Sequence, residues 1–442
     1  MEVNNSSSRI NKVTIAATAI VVALLGLVIG IEFSLGLLLV LLGGFIIVSR
    51  PELGIMLFAL TYPFLGDMKI MVLSFLVLAV YLFKALRDGK IEFDRVPVTY
   101  PIIFYVVVLL FSSFLSVNPS GSLRDLALNI TGMFFVFIAM NYEMKKETVF
   151  SIIKFMILSS FFVSLYGIYQ YIVGVPMESG WVDQTQNTQL KMRIYSTFEN
   201  PNVLAEYLVM MIPVSVAYIV YNKNWGKKIL FGAMCLVQIL CIGLTYSRGG
   251  WLGLVVSCGL FLVISNYRFI FLMIPMGLLG LYLMPSSILQ RISTIGSLKD
   301  SSNFYRFNLW QKSVDIIKDF WMSGIGLGYK AFMDITPLYI KNANPYHVHN
   351  TYIQLMIETG LFGLLSFLLM IISLVKMGFE VFSSKCSREI KILIMAFVCG
   401  ILGVMVHGIA EHVLFNPKII YSFWFNISII VMLYRLHKKE AR

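Results

Sequence analysis

The chain has 442 residues, 58% of them hydrophobic and only 13% charged, with a formal net charge of +12 and a mean hydropathy of +0.81. A soluble domain carries about 25% charged residues, so this composition excludes an ordinary soluble enzyme and indicates an all-α integral membrane protein, one transmembrane helical domain over 1–442. The lysines and arginines form short clusters between apolar runs. That is the pattern of membrane topology and of attraction to anionic membrane lipids, and it gives no support to nucleic-acid binding.

Apolar runs long enough to cross the hydrocarbon, about 17–25 residues, fall at 13–30, 32–49, 70–87, 99–117, 123–141, 149–173, 202–221, 228–246, 250–265, 268–284, 350–375, 390–411 and 419–436. A shorter run at 52–65 lies between Pro51 and Asp67. Counting it puts Arg9, Lys12, Arg50, Lys84, Arg87, Lys145, Lys146, Lys227, Arg268, Lys385, Arg388 and Lys438 on one face. The expectation is about 12–14 spans, both termini cytoplasmic, an uncleaved first span and a multi-pass protein of the bacterial cytoplasmic membrane. Cys235, Cys241, Cys258 and Cys399 lie inside apolar runs and Cys386 in a basic loop, with no C-x-x-C spacing. Neither disulfide nor structural zinc is indicated.

The opposite face receives the long segment 285–349, whose seven cations (Arg291, Lys299, Arg306, Lys312, Lys318, Lys330 and Lys341) run against the positive-inside trend and call for an anionic ligand. From Phe307, the apolar residues Phe307, Trp310, Val314, Ile317 and Trp321 recur at helical steps, which predicts an amphipathic helix at the membrane surface with Arg306 in its first turn. A cation there opposes the helix dipole, so a partner anion and a merely solvated arginine are equal readings. Gly324-Ile-Gly326-Leu-Gly328 follows no strand and reads as a tight turn returning the chain to the bundle, not as a nucleotide loop.

His347-Val-His349-Asn350 stands immediately before a span that carries Tyr352. An interfacial histidine suits a general base and equally suits a helix cap. Two histidines one residue apart also allow a metal, the lesser reading without a Cys or carboxylate cluster. Tyr246-Ser-Arg248-Gly-Gly250 joins two spans with almost no loop, leaving Arg248 near membrane depth, where an arginine demands a partner. Arg193, Asn200 and Asn202 precede another span, while His407, Glu411 and His412 at the end of the penultimate span read as supporting residues. Arginines converging on one face fit a pyrophosphate-like group, because guanidinium offers forked donors to phosphate oxygens.

Four stretches then resemble a known family: RIYSTFENPNVLAEYL at 193–208, YSRGGWLGL at 246–254, RFNLW at 306–310 with SGIGLGYKAF at 323–332, and HVHNTYIQLMIETGLFG at 347–363. Together they are similar to the O-antigen ligase and O-antigen polymerase superfamily of bacterial polytopic glycosyltransferases. The resemblance implies transfer of glycan from an undecaprenyl-pyrophosphate carrier to an acceptor hydroxyl outside the cytoplasmic membrane, with inversion and with no metal or other cofactor. It implies His349 as base, with His347 sharing or replacing it, and Arg248 and Arg306 on the pyrophosphate. Arg193, Asn200, Asn202, Asn350, Tyr352 and Lys330 would contact substrate, and a chain-length regulator protein is a further expected partner. The expected product is an envelope polysaccharide, made by a polymerase or a ligase. A lipid-linked oligosaccharide flippase or other transporter and a peptidoglycan-type glycosyltransferase are the rivals.

Overall fold

A computed structural model describes residues 50–440 except 90–92, 177–191, 272–274, 276, 279–281, 283–285, 294–295, 297–299 and 341–344. The expected spans at 13–30 and 32–49 lie outside the described residues, as does much of 268–284. Secondary structure among the described residues is helical throughout. The chain runs through α1 Pro51–Thr61, α2 Asp67–Asp88, α3 Thr99–Phe114, α4 Pro119–Asn141 and α5 Lys146–Val173, then α6 Pro201–Tyr221, α7 Trp225–Leu244 and α8 Arg248–Ser265. The segment between spans supplies α9 Ser286–Ser293, α10 Ser301–Phe320 and α11 Gly328–Tyr339, before α12 Thr351–Ser383, α13 Arg388–His407 and α14 Pro417–Glu440. Among the described residues nine helices, α2, α4–α8 and α12–α14, are long and apolar enough to cross a membrane. The protein is an all-α, multi-pass membrane protein.

The eleven residues of α1 rise only about 17 Å at 1.5 Å each, yet the segment still runs between the two ends of the bundle. Glu52 accepts a hydrogen bond from Tyr142 just past the end of α4, whereas Asp67, where α2 begins, pairs with Arg124 in the first turns of α4. A 3₁₀ turn at Tyr62–Phe64 makes up the length. Lys146 at the start of α5, Ser387 before α13 and Glu440 at the end of α14 meet at the end occupied by Glu52, and Arg435 ties Asp94 to the carbonyls of Ala139 and Tyr142 there.

α6, α13 and α14 form the buried centre, while α2, α7 and α8 turn apolar side chains such as Phe75, Leu230 and Val255 outward. Between helices in lipid, close van der Waals packing of small residues drives association more than the hydrophobic effect. α8 crosses α13 at Gly253 and Gly403, where a β-carbon on either glycine would come within 2.7 Å of the other's carbonyl oxygen. That contact brings the start of α8, and with it Arg248, against the end of α13.

α12 breaks at Gly360, whose φ of +66° only glycine adopts without strain. The glycine run of 324–328 inserts there. The Ile325 and Gly326 amides donate to the carbonyls of Ile357 and Glu358, and the Leu361 amide donates to Trp321. This run returns the chain from α10 to the bundle, as the sequence suggested.

Two local expectations need correction. α10 begins at Ser301, capped by Asp300, so Arg306 lies in its second turn rather than its first. Its inward stripe is Leu309, Ser313 and Ile316, and Phe307, Val314 and Trp321 stay exposed. Trp310 and Ile317 pack against the same inner cluster. The penultimate span ends at His407 rather than 411 because Gly408 caps it, which leaves Glu411 in a loop.

Candidate active site

Glu411 is the hub of the end where α4, α6, α8, α12 and α14 begin. One carboxylate oxygen lies 2.7 Å from His349 Nδ1 and 3.6 Å from His347 Nδ1. The other accepts a hydrogen bond from Asn202 Nδ2 at 3.0 Å and lies 3.6 Å from an Arg306 terminal nitrogen. Asn202 in turn accepts from Arg193 at 2.8 Å, and Arg193 Nε donates to the Thr245 carbonyl.

The histidines are held from several sides. Asn350 caps α12 by accepting from the Tyr352 and Ile353 amides and donates to the Ile409 carbonyl. Trp310 on α10 donates to the Val348 carbonyl, while Gln354 accepts from the Val348 amide. His349 has φ +53°, in the left-handed region, a strain of about 1–3 kcal/mol that surrounding structure must hold in place and that clusters at functional sites. Its amide donates to His347 Nδ1 at 3.1 Å. The His349 side chain is 29% exposed, against 12% for His347 and 10% for Glu411, so His349 is the member of the group that faces outward.

Burial raises the Glu411 carboxyl, but His349, His347 and Arg306 outweigh it and hold it well below the usual carboxylate range. Burial, with His349 next in size, holds His347 well below the ordinary histidine value, and burial brings His412 down to about 3. Arg193 is depressed by burial first and then by Arg291, Arg306 and Arg248. These four guanidiniums are therefore close enough to repel one another.

Arg248 makes two hydrogen bonds to Asp300, at 3.2 and 3.1 Å, and one to Asn303. Arg291 approaches the same carboxylate at 3.9 Å. Asp300 is 1% exposed and also accepts from the Asn303 amide at the start of α10, which joins the Arg248 turn to the helix carrying Arg306. Arg306 is less completely matched, since its Nε is buried with no hydrogen-bond partner among the described residues.

Of the residues singled out in the sequence, the structure gathers Arg193, Asn202, Arg306, His347 and His349 around Glu411, with Arg248 beside them through Asp300. Asn200 caps α6, Tyr352 ties α12 to α13 by donating to the Met405 carbonyl, and Asn350 caps α12. Lys330 is exposed and lies over Gly121 of α4. Glu411 had been read only as supporting, and Asp300 and Arg291 had no assigned role. A buried-pair requirement for Arg248 was the one signal that pointed toward Asp300. Among the described residues, His347, His349 and Glu411 also form the one group whose ligand atoms, all within 4.8 Å of one another, would accept a metal ion.

Residues 233–368 match the family model described as O-antigen ligase. That stretch is similar to the O-antigen ligase family. The match runs from α7 into α12 and takes in Arg248, Arg306, His347 and His349, with Arg193 before it and Glu411 after it. The teichuronic acid biosynthesis protein TuaE of Bacillus subtilis (strain 168) is 21% identical over 349 residues, which cover 74% of this chain and 69% of the relative. Both similarities support a membrane enzyme of envelope polysaccharide biosynthesis.

Proposed function

We propose that the protein is an envelope polysaccharide polymerase or ligase. It transfers glycan from an undecaprenyl-pyrophosphate carrier to an acceptor sugar hydroxyl at the outer face of the cytoplasmic membrane. One observation carries this reading: four guanidiniums meet two carboxylates around an outward-facing histidine bound to Glu411. The surplus of positive charge suits a pyrophosphate leaving group, and fixed donors stabilise it as charge develops.

His349 is the base. Glu411 accepts a hydrogen bond from Nδ1–H, which fixes the tautomer and leaves the Nε2 lone pair to take the acceptor hydroxyl's proton. His347 is further from Glu411, less exposed and already accepts the His349 amide, so it orients rather than reacts. Arg306, with its partly unmatched guanidinium, grips the pyrophosphate, and Arg248 and Arg193 complete the cationic surround. The activated hydroxyl attacks the anomeric carbon from the face opposite the departing pyrophosphate and inverts it. No step in this scheme draws on a metal. The polar groups crowd one end of the bundle rather than its midplane, which favours an enzyme over a transporter.

The test is product formation by the purified protein in liposomes supplied with native lipid-pyrophosphate-linked repeat units. Lipid-bound polymer made by the wild type and lost in His349→Ala supports a polymerase. Transfer only to an added, different acceptor supports a ligase. Movement of the lipid-linked sugar across the bilayer, unchanged in the mutant and without new bonds, would put a transporter in its place.

A further inference from the structure

The Glu411 hub has a donor set that the transfer reaction leaves partly idle. His347 is held in the group yet performs no proton transfer, and behind it His412, 5% exposed, has a buried Nδ1 with no hydrogen-bond partner among the described residues. The His412 ring lies 5.8 Å from that of His347, and the His347 and His349 rings lie 4.3 Å apart. A tetrahedral zinc site with bonds of about 2.0–2.1 Å needs ligand atoms about 3.3 Å apart. The separations from the shared Glu411 oxygen, 2.7 Å to His349 and 3.6 Å to His347, straddle that value, so small side-chain rotations would close the site.

We propose that His347, His349 and Glu411 form an inhibitory binding site for an imidazole-seeking divalent transition cation of the zinc class. Arg306 lies 3.6 Å from the second Glu411 oxygen, and its charge opposes any cation held only by electrostatics. Selectivity follows from that opposition. Mg²⁺ and Ca²⁺, which prefer oxygen ligands, gain little from two imidazoles, whereas zinc and cobalt gain two strong nitrogen bonds.

Inhibition rests on the general-base reading of His349 and follows from its tautomer. Without metal, the Nδ1–H donates to Glu411 and Nε2 carries the lone pair. A cation on Nδ1 takes the lone pair there, so the single ring proton must sit on Nε2, the nitrogen that would otherwise deprotonate the acceptor. The cation also draws Glu411 away from Arg306. No bond in the substrate is made or broken by the metal, which blocks the reaction simply by fixing the wrong tautomer.

The direct experiment titrates the full-length protein in detergent with Co²⁺ and follows the visible ligand-field bands of tetrahedral cobalt. The wild type is expected to develop these bands, to lose them on addition of Zn²⁺, and to keep them in excess Mg²⁺. His347→Gln and His349→Ala are each expected to weaken cobalt binding at least about tenfold, while Cys386→Ser leaves it unchanged. Tryptophan emission and gel-filtration profile report whether each variant is folded, and the glutamine variant retains bulk at position 347. Absence of tetrahedral bands, or bands unchanged in both folded histidine variants, would overturn the site. In parallel, Zn²⁺ is expected to stop product formation in liposomes and a chelator to restore it. Cobalt bands with undiminished product formation would keep the metal site and refute its inhibitory role. A protein that forms no product at all would count against the transferase reading, and the cobalt titration would still decide the site.

Discussion

Arg306 and Arg248 stand at the same end of the bundle and are satisfied to different degrees. Arg248 is enclosed, with two hydrogen bonds to Asp300 and one to Asn303. Among the described residues, Arg306 has one long contact to a carboxylate that His349, His347 and Asn202 already share, and its buried Nε has no hydrogen-bond partner. A buried charge matched by its neighbours chiefly fixes geometry, whereas one left short of partners keeps binding capacity for a ligand. On this account Arg248 and Asp300 set the frame, and Arg306 with the Glu411–His349 pair does the transfer chemistry.

The largest effect expected from breaking the working side of this contrast is His349→Ala. Loss of the base should lower the rate of product formation by about 10²–10⁴-fold, measured in liposomes with protein of unchanged thermal stability. Arg306→Ala should follow, with a loss of about 10²–10³-fold, and Arg306→Lys should restore only part of it because an ammonium lacks the forked donors. On the framing side, Arg248→Ala takes from the buried Asp300 its nearest cation, with Arg291 at 3.9 Å, and should destabilise the fold by about 3 kcal/mol. Asp300→Asn introduced into that variant should recover part of the loss, since the uncompensated charge is gone. Thermal unfolding in detergent separates these outcomes. If Arg248→Ala folds as well as the wild type, the contrast fails.

The smallest predicted effect per residue is a pH dependence of stability. His347 and His412 stay neutral in the fold because burial depresses both, His412 to about 3. In the unfolded chain they take up protons below about 6.5. The unfolded state then binds more protons than the native one, so stability falls as the pH drops from about 6.5 toward 5, by about 2 kcal/mol for each histidine. Glu411 acts lower on the scale. Its depressed carboxyl contributes stability above the ordinary carboxylate value, and that contribution is lost only as the pH falls through its own lower one. Melting curves at pH 7 and 5 should converge for a His347→Gln, His412→Gln double variant.

Much of this architecture is legible in the chain because the membrane imposes long apolar runs and segregated cations. Most described spans begin and end within a few residues of those runs, α12 continuing past 375 to Ser383, and basic segments meet at one end. The motifs around Arg248, Arg306 and His349 could likewise be recognised by their residues alone. Glu411 was harder to see, because it lies 62 residues from its partner His349 and no spacing rule joins a loop carboxylate to a histidine ahead of a distant helix. Asp300 is hidden for the same reason. The exposed row of α10, Phe307, Val314 and Trp321, is apolar as suits the surface helix expected there, whereas its buried row mixes Leu309 and Ile316 with Ser313 and is not marked by apolar spacing.

The account is tested most directly by binding of a short isoprenyl pyrophosphate to the wild type, Arg306→Ala and Arg248→Lys, each confirmed folded. The difference between the arginines predicts that Arg306→Ala weakens binding by about tenfold or more, while Arg248→Lys, which keeps a cation against Asp300, stays within about threefold of the wild type. Equal binding by the wild type and Arg306→Ala would contradict the assignment of the half-matched arginine to the pyrophosphate, and with it the proposed division of the site.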